Sequence, residues 1–130
     1  MDIYAFFSQR AGLWLSQSTA YDLVRNESFH QRTQIEVELL NPTSLKITVD
    51  KGTSILKAIP KEDGLSGQLV WQGTEGEFAG EFVISADRIL TLRLDNREEK
   101  LWFALPNLCM RTAAVGLYQT QFWTEVRKIR

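Results

Sequence analysis

The chain has 130 residues, 15 basic against 16 acidic, and its 44% hydrophobic content includes four Trp, seven Phe and three Tyr. That is about the length of one domain, so residues 1–130 are read as a single unit with enough large apolar side chains for a packed core and the lining of a cavity. A formal charge of −1 excludes a global field that would draw in nucleic acid or an anionic membrane, while one His and one Cys exclude a Cys/His zinc site.

Asp2 is placed to cap a short helix in which Ile3, Phe6, Phe7 and Arg10 recur at helical spacing, and Gly12 is placed to end it. From Leu13 the period becomes two. Ile35, Val37 and Leu39 alternate with Gln34, Glu36 and Glu38; Asn41-Pro42-Thr43 breaks the pattern, and Leu45, Ile47 and Val49 resume it up to the turn at Lys51-Gly52. Further alternating or apolar runs follow at Thr53 to Ile59, Gln68 to Gln72, Glu77 to Ser85, Ile89 to Leu94, Lys100 to Ala104, Leu108 to Ala114 and Gln119 to Ile129. The breaks between them are short and carry turn residues, as in Gly73-Thr74-Glu75-Gly76, Asp95-Asn96 and Pro106-Asn107.

Eight to ten consecutive strands with short turns predict an all-β fold, an antiparallel up-and-down barrel preceded by a short helix, because closure removes exposed sheet edges. A β-sandwich is the alternative. A barrel of that size has room inside for one small ligand.

The opening Met1-Asp2-Ile3-Tyr4 has no basic region followed by an apolar run, and no stretch is long enough to span a bilayer. With Cys109 unable to pair within the chain, a reducing, cytoplasmic compartment is expected, without a membrane partner. His30, between polar neighbours, reads as an exposed structural histidine, and the basic Arg127-Lys128-Ile129-Arg130 as a solvated tail. No P-loop or dinucleotide glycine fingerprint occurs.

Several segments are similar to one family. Met1-Asp2-Ile3 through Phe6-Phe7, then Gly12-Leu13-Trp14-Leu15-Ser16-Gln17-Ser18-Thr19, the strand end Trp71-Gln72-Gly73-Thr74, the long hairpin Glu98 to Thr112 around Leu101-Trp102-Phe103-Ala104-Leu105-Pro106-Asn107-Leu108, and the closing Phe122-Trp123-Thr124-Glu125-Val126-Arg127 resemble the S/U-type phycobiliprotein chromophore lyases. The resemblance runs nearly end to end and implies a lipocalin-like, or calycin-like, barrel. It also implies an activity: binding a linear tetrapyrrole (a phycobilin such as phycocyanobilin) as a transferred ligand, with no permanently bound cofactor, and assisting thioether attachment to a cysteine of an apo-phycobiliprotein subunit. The implied location is the cyanobacterial cytoplasm or plastid stroma.

On that resemblance Glu99 and Arg111 are the candidate catalytic residues: Glu99 to hydrogen-bond or exchange a proton with the pyrrole nitrogens, as a carboxylate whose enclosure shifts its pKa toward neutrality, and Arg111 as the partner of a propionate. Read without it, Glu99 is a solvated charge and Arg111 a surface salt bridge. Leu69 and Trp71 are candidate apolar wall, with Trp14, Trp102 and Phe103 as ordinary core or further wall.

Two positions depart from the family pattern, Ser18 and Cys109, each where the family commonly has Arg, and the segment between Leu40 and Gln68 is short. Losing cations that would bind propionates weakens bilin affinity, so these departures fit a lyase subunit needing a related partner, or a non-catalytic bilin carrier, better than a self-sufficient lyase acting as a monomer or homodimer. A barrel filled by its own side chains and used only for protein interaction is the remaining alternative. Cys109 itself reads as a small buried apolar residue rather than a covalent bilin site.

Overall fold

A computed structural model describes residues 1–129; Arg130, the end of the basic tail, lies outside the described residues. Helix α1 (Ile3–Arg10) is followed by ten strands: β1 (Gly12–Asp22), β2 (Glu27–Asn41), β3 (Ser44–Val49), β4 (Gly52–Pro60), β5 (Ser66–Gly73), β6 (Gly76–Ile84), β7 (Leu90–Leu94), β8 (Arg97–Leu105), β9 (Leu108–Val115) and β10 (Gln119–Arg127). Each strand pairs antiparallel with its neighbour in sequence, and β1 pairs with β10 to close the barrel. The expected up-and-down barrel is therefore present at the upper end of the predicted strand count.

The helix begins where the sequence places it. Asp2 accepts a hydrogen bond from Ala5 N–H at 2.9 Å, and Ile3 N–H is taken by the carbonyl of Gly64 at 2.8 Å, which ties the helix to the β4–β5 turn. Ile3, Phe6, Phe7 and Arg10 are its buried face. Gly12 then has φ +142, which a residue with a Cβ rarely adopts, and that Cβ would meet Arg127 Nη1. Arg127 uses this space to donate to the carbonyls of Ala11 and Gln9 at the helix C-terminus, and its Nε donates to Asn107 Oδ1 at 3.0 Å. The Pro106-Asn107 turn thus holds the last strand as well as the hairpin.

One strand is longer than its alternation shows. β2 starts at Glu27 and pairs along its length with β1, from Asp22 opposite Glu27 to Gly12 opposite Val37, whereas its pairing with β3 covers Glu36 to Asn41. Side chains from Glu27 to Arg32 are exposed, so no apolar period marks this half.

The core sits where the inward residues meet α1. Trp14, Leu69, Leu90 and Cys109 are almost fully buried, and the Phe6 ring lies 4.9 Å from that of Phe103. Trp14 is wedged under the helix end: its Nε1–H donates to the carbonyl of Arg10 at 2.9 Å.

Candidate functional site

Because α1 fills one end of the barrel and short turns rim the other, the interior is closed below and open above. A cavity of about 520 Å³ occupies it, with Phe6, Phe7 and Arg10 of α1 as floor and Phe78, Asp95 and Asn96 at the rim. Its walls are mostly aliphatic, including Ile35, Leu45, Ile47, Leu56, Leu90 and Leu92, with the Trp71 indole on one side. Gly73 makes room for that ring, since a Cβ there would lie 3.1 Å from Trp71 Nε1; this gives the Trp-x-Gly strand end a packing reason.

One wall is charged. Alternation along β8, β9 and β10 turns Arg97 and Glu99, Arg111, and Glu125 to the interior, and α1 adds Arg10. Arg111 donates to Glu99 Oε1 from Nε (2.9 Å) and Nη2 (2.7 Å), and to Glu125 Oε2 from Nη1 (3.1 Å). Arg97 donates to the second oxygen of Glu99 from Nε (3.4 Å) and Nη2 (3.3 Å). Arg10 Nη2 lies 2.7 Å from Glu125 Oε1 in a close ionic contact. Trp123 backs the cluster, with the Arg111 guanidinium 4.3 Å and that of Arg97 5.8 Å from its ring.

These contacts set the protonation states. Burial alone pushes the Glu99 carboxyl up, but attraction to Arg111 and then Arg97, with hydrogen bonds from both, holds it below the usual carboxylate range. Burial likewise opposes ionisation of Glu125, and Arg111 and then Arg10 outweigh it. Burial opposes the charge of Arg111 too, yet Glu99 and Glu125 hold its proton more firmly than usual. Glu99, Glu125 and Arg111 are therefore ionised at neutral pH. The expected shift of Glu99 toward neutrality is therefore reversed, because two guanidiniums face it.

Glu99, Arg111 and Trp71 all line the cavity, although Glu98-Glu99-Lys100 reads as surface. Glu98 and Lys100 are indeed outward, in ion pairs with Arg93 and with each other. Leu69, next but one to Trp71 on the same face of β5, is fully buried in the core and is not among the lining residues. Trp14 and Phe103 pack on the core, and Ser18 lines a shallow groove on the barrel flank with Thr19 and His30. His30 is exposed and within 3.1 Å of the Thr19 hydroxyl. Cys109 is buried, and burial pushes its thiol up to about 11.

Three interior charges, Arg10, Arg97 and Glu125, escaped the sequence reading. Each had a signal: Arg10 falls on the apolar stripe of α1, Arg97 is two residues before Glu99, and Glu125 is two after Trp123.

Compared with curated proteins, the chain is 27% identical over 173 aligned positions to a protein named chromophore lyase CpcS/CpeS 1 from Trichodesmium erythraeum, spanning 100% of this chain and 99% of that one. A Synechocystis protein of the same name is 28% identical, with 99% and 92% covered, and a chromophore lyase CpcS/CpeS from Thermosynechococcus vestitus is 27% identical, with 98% and 93% covered. Among solved structures, an S-type phycobiliprotein lyase from Guillardia theta superposes with a TM-score of 0.81 at 20% identity, over 100% of this chain and 94% of that one. A Nostoc punctiforme protein of unknown function superposes with a TM-score of 0.65 at 14% identity, over 94% of this chain and 49% of that one. At those identities the structural likeness is one of fold. No family model matches the chain.

Proposed function

We propose that this chain, which belongs to the CpcS/CpeS chromophore lyase family, is a phycobiliprotein chromophore lyase that holds a phycobilin such as phycocyanobilin and presents it to a cysteine of an apo-phycobiliprotein subunit. The observation that carries the site assignment is the open-ended apolar cavity with an ionised arginine–carboxylate cluster on one wall. A linear tetrapyrrole is apolar along its length, acidic at two propionates and rich in N–H donors, and it needs those surfaces together.

In this reading Trp71 and the aliphatic wall take the pyrrole rings, and Glu99 accepts hydrogen bonds from pyrrole N–H groups. Arg111 keeps Glu99 ionised and aimed. A propionate reaches Arg111 only by displacing Glu99 or Glu125. The acceptor thiol adds across the ring-A ethylidene double bond, sulfur bonding to one carbon and a proton ending on the bilin, so no oxidant or leaving group is needed. The acceptor approaches from the open end, where Leu23, Val24 and Leu117 are 61%, 70% and 84% exposed on turns joined by a hydrogen bond from Leu23 N–H to the Tyr118 carbonyl. This function implies a cytoplasmic or stromal location; no helix among the described residues is long and apolar enough to cross a membrane.

The test is an absorbance titration with phycocyanobilin, followed by addition of an apo-phycobiliprotein subunit and a check for colour that survives denaturation. Binding with transfer is the expected result. Binding without transfer favours the second reading, a carrier or a subunit awaiting a related partner, for which Ser18 and Cys109 in place of arginines speak. No spectral change overturns the bilin site for the chain alone.

A further inference from the structure

The guanidiniums around the cavity are unequally occupied. Arg111 spends Nε and both terminal nitrogens on Glu99 and Glu125, and Arg97 spends Nε and Nη2 on Glu99. Arg127, behind the helix end, is used up on Asn107, Ala11 and Gln9. Arg10 differs. It is 5% exposed and lines the cavity floor; one nitrogen faces Glu125, while Nη1 is buried with no acceptor among the described residues.

Burying a charged N–H donor without an acceptor is unfavourable, and the penalty is relieved when an acceptor arrives. The charges lean the same way: Arg10, Arg97 and Arg111 face Glu99 and Glu125, leaving one positive charge without a buried counter-charge, since Glu75 and Asp95 are exposed at the opposite, open end. Cys109 lies opposite Glu125 in the β9–β10 register, where the family resemblance places an arginine on the strand. Arg10 reaches the same carboxylate from the helix instead.

We propose that Arg10 is the carboxylate-binding residue of this cavity: a ligand carboxylate lowered to the floor accepts from Nη1, while Arg111 stays locked to Glu99 and Glu125. That the ligand is a bilin, bound by a propionate, rests on the proposed function. The shared chemistry, an apolar body ending in a carboxylate, is also that of a fatty acid.

The experiment compares the full-length wild-type chain with Arg10→Met, Arg10→Lys and the double variant Arg10→Met/Glu125→Gln. The double variant removes the donor but leaves the interior charge balance unchanged. The probes are phycocyanobilin and its dimethyl ester, read by absorbance, and cis-parinaric acid and its methyl ester, read by fluorescence, with circular dichroism to verify folding.

The wild type should prefer each free acid over its ester. Arg10→Met and the double variant should lose roughly ten- to a hundredfold in free-acid affinity with little change for the ester, and Arg10→Lys should retain part of the preference. If Arg10→Met does not fold, the double variant and Arg10→Lys decide. A double variant with wild-type acid preference, or a wild type indifferent to esterification, overturns the inference while leaving bilin binding intact. Arg10-dependent binding of parinaric acid without bilin binding supports Arg10 and overturns the bilin site. Failure of both probes overturns both.

Discussion

Glu125 shows how much hangs on single side chains in this barrel. It has no exposed surface and is held between Arg10 and Arg111, while Glu99 is held between Arg111 and Arg97. Both carboxylates have folded-state pKa values below their ordinary ones. Their stabilising contribution is therefore complete above the unfolded carboxylate pKa of roughly 4.3 and is lost as pH falls through the lower folded value. Urea unfolding should thus show stability falling on acidification below about pH 4, not between pH 5 and 7. Glu125→Gln should lower stability at pH 7 by about 3–5 kcal/mol, because it leaves buried guanidinium charge uncompensated, and should flatten the acid loss. An unchanged acid profile in that variant would remove Glu125 from the account.

Cys109 makes the opposite kind of prediction. A thiol with no exposed surface, and a pKa pushed up to about 11 by burial, is nearly all protonated and out of reach at pH 8. Native protein should resist iodoacetamide and unfolded protein should react with it, as mass spectrometry would show. Rapid labelling of the native chain would contradict the buried placement. The apolar reading of Cys109 was available from its type alone. That Glu99 is enclosed was not, because its neighbours Glu98 and Lys100 are solvated and only the pleat separates them from it.

At the scale of elements, strand order and most boundaries were legible because apolar alternation and turn residues agree over most of the chain. The first half of β2 was not. Its ladder is made with β1, and with exposed side chains from Glu27 to Arg32 it leaves no hydrophobic trace. Helix α1 was legible from Asp2 and its apolar stripe, and it does more than plug the barrel, since it carries Arg10 into the cavity floor. Asp2→Ala should cost about 1 kcal/mol in urea denaturation by freeing the Ala5 N–H, and Asp2→Ser should restore most of it. Equal losses in both variants would show that the cap hydrogen bond is not what Asp2 contributes.

For the whole molecule, closure followed from many short strands and the need to hide edges, and a cavity followed from the strand count. The charged wall did not follow from either. Its members come from α1, β8, β9 and β10, and only the three-dimensional path brings Arg10 to Glu125. No spacing rule connects residues so far apart in sequence; the resemblance pointed to Glu99 and Arg111 but not to the partners that hold them.

The β1–β10 seam has a further consequence, in kinetics. Every other strand pair is a hairpin between consecutive elements, whereas the seam joins Trp14 to Arg127 and Asp22 to Gln119 across nearly the whole chain. Closing so large a loop carries the greatest entropic penalty and comes after local hairpins have formed. Trp14→Phe should therefore accelerate unfolding with little effect on the folding rate, whereas Leu101→Ala, inside the β8–β9 hairpin, should slow folding. Stopped-flow chevrons that show Trp14→Phe slowing folding would place the seam in the rate-limiting step instead. With closure last, the chain passes through an open sheet in which Glu125 has not yet met Arg10, so the ligand cavity is the final part of the molecule to exist.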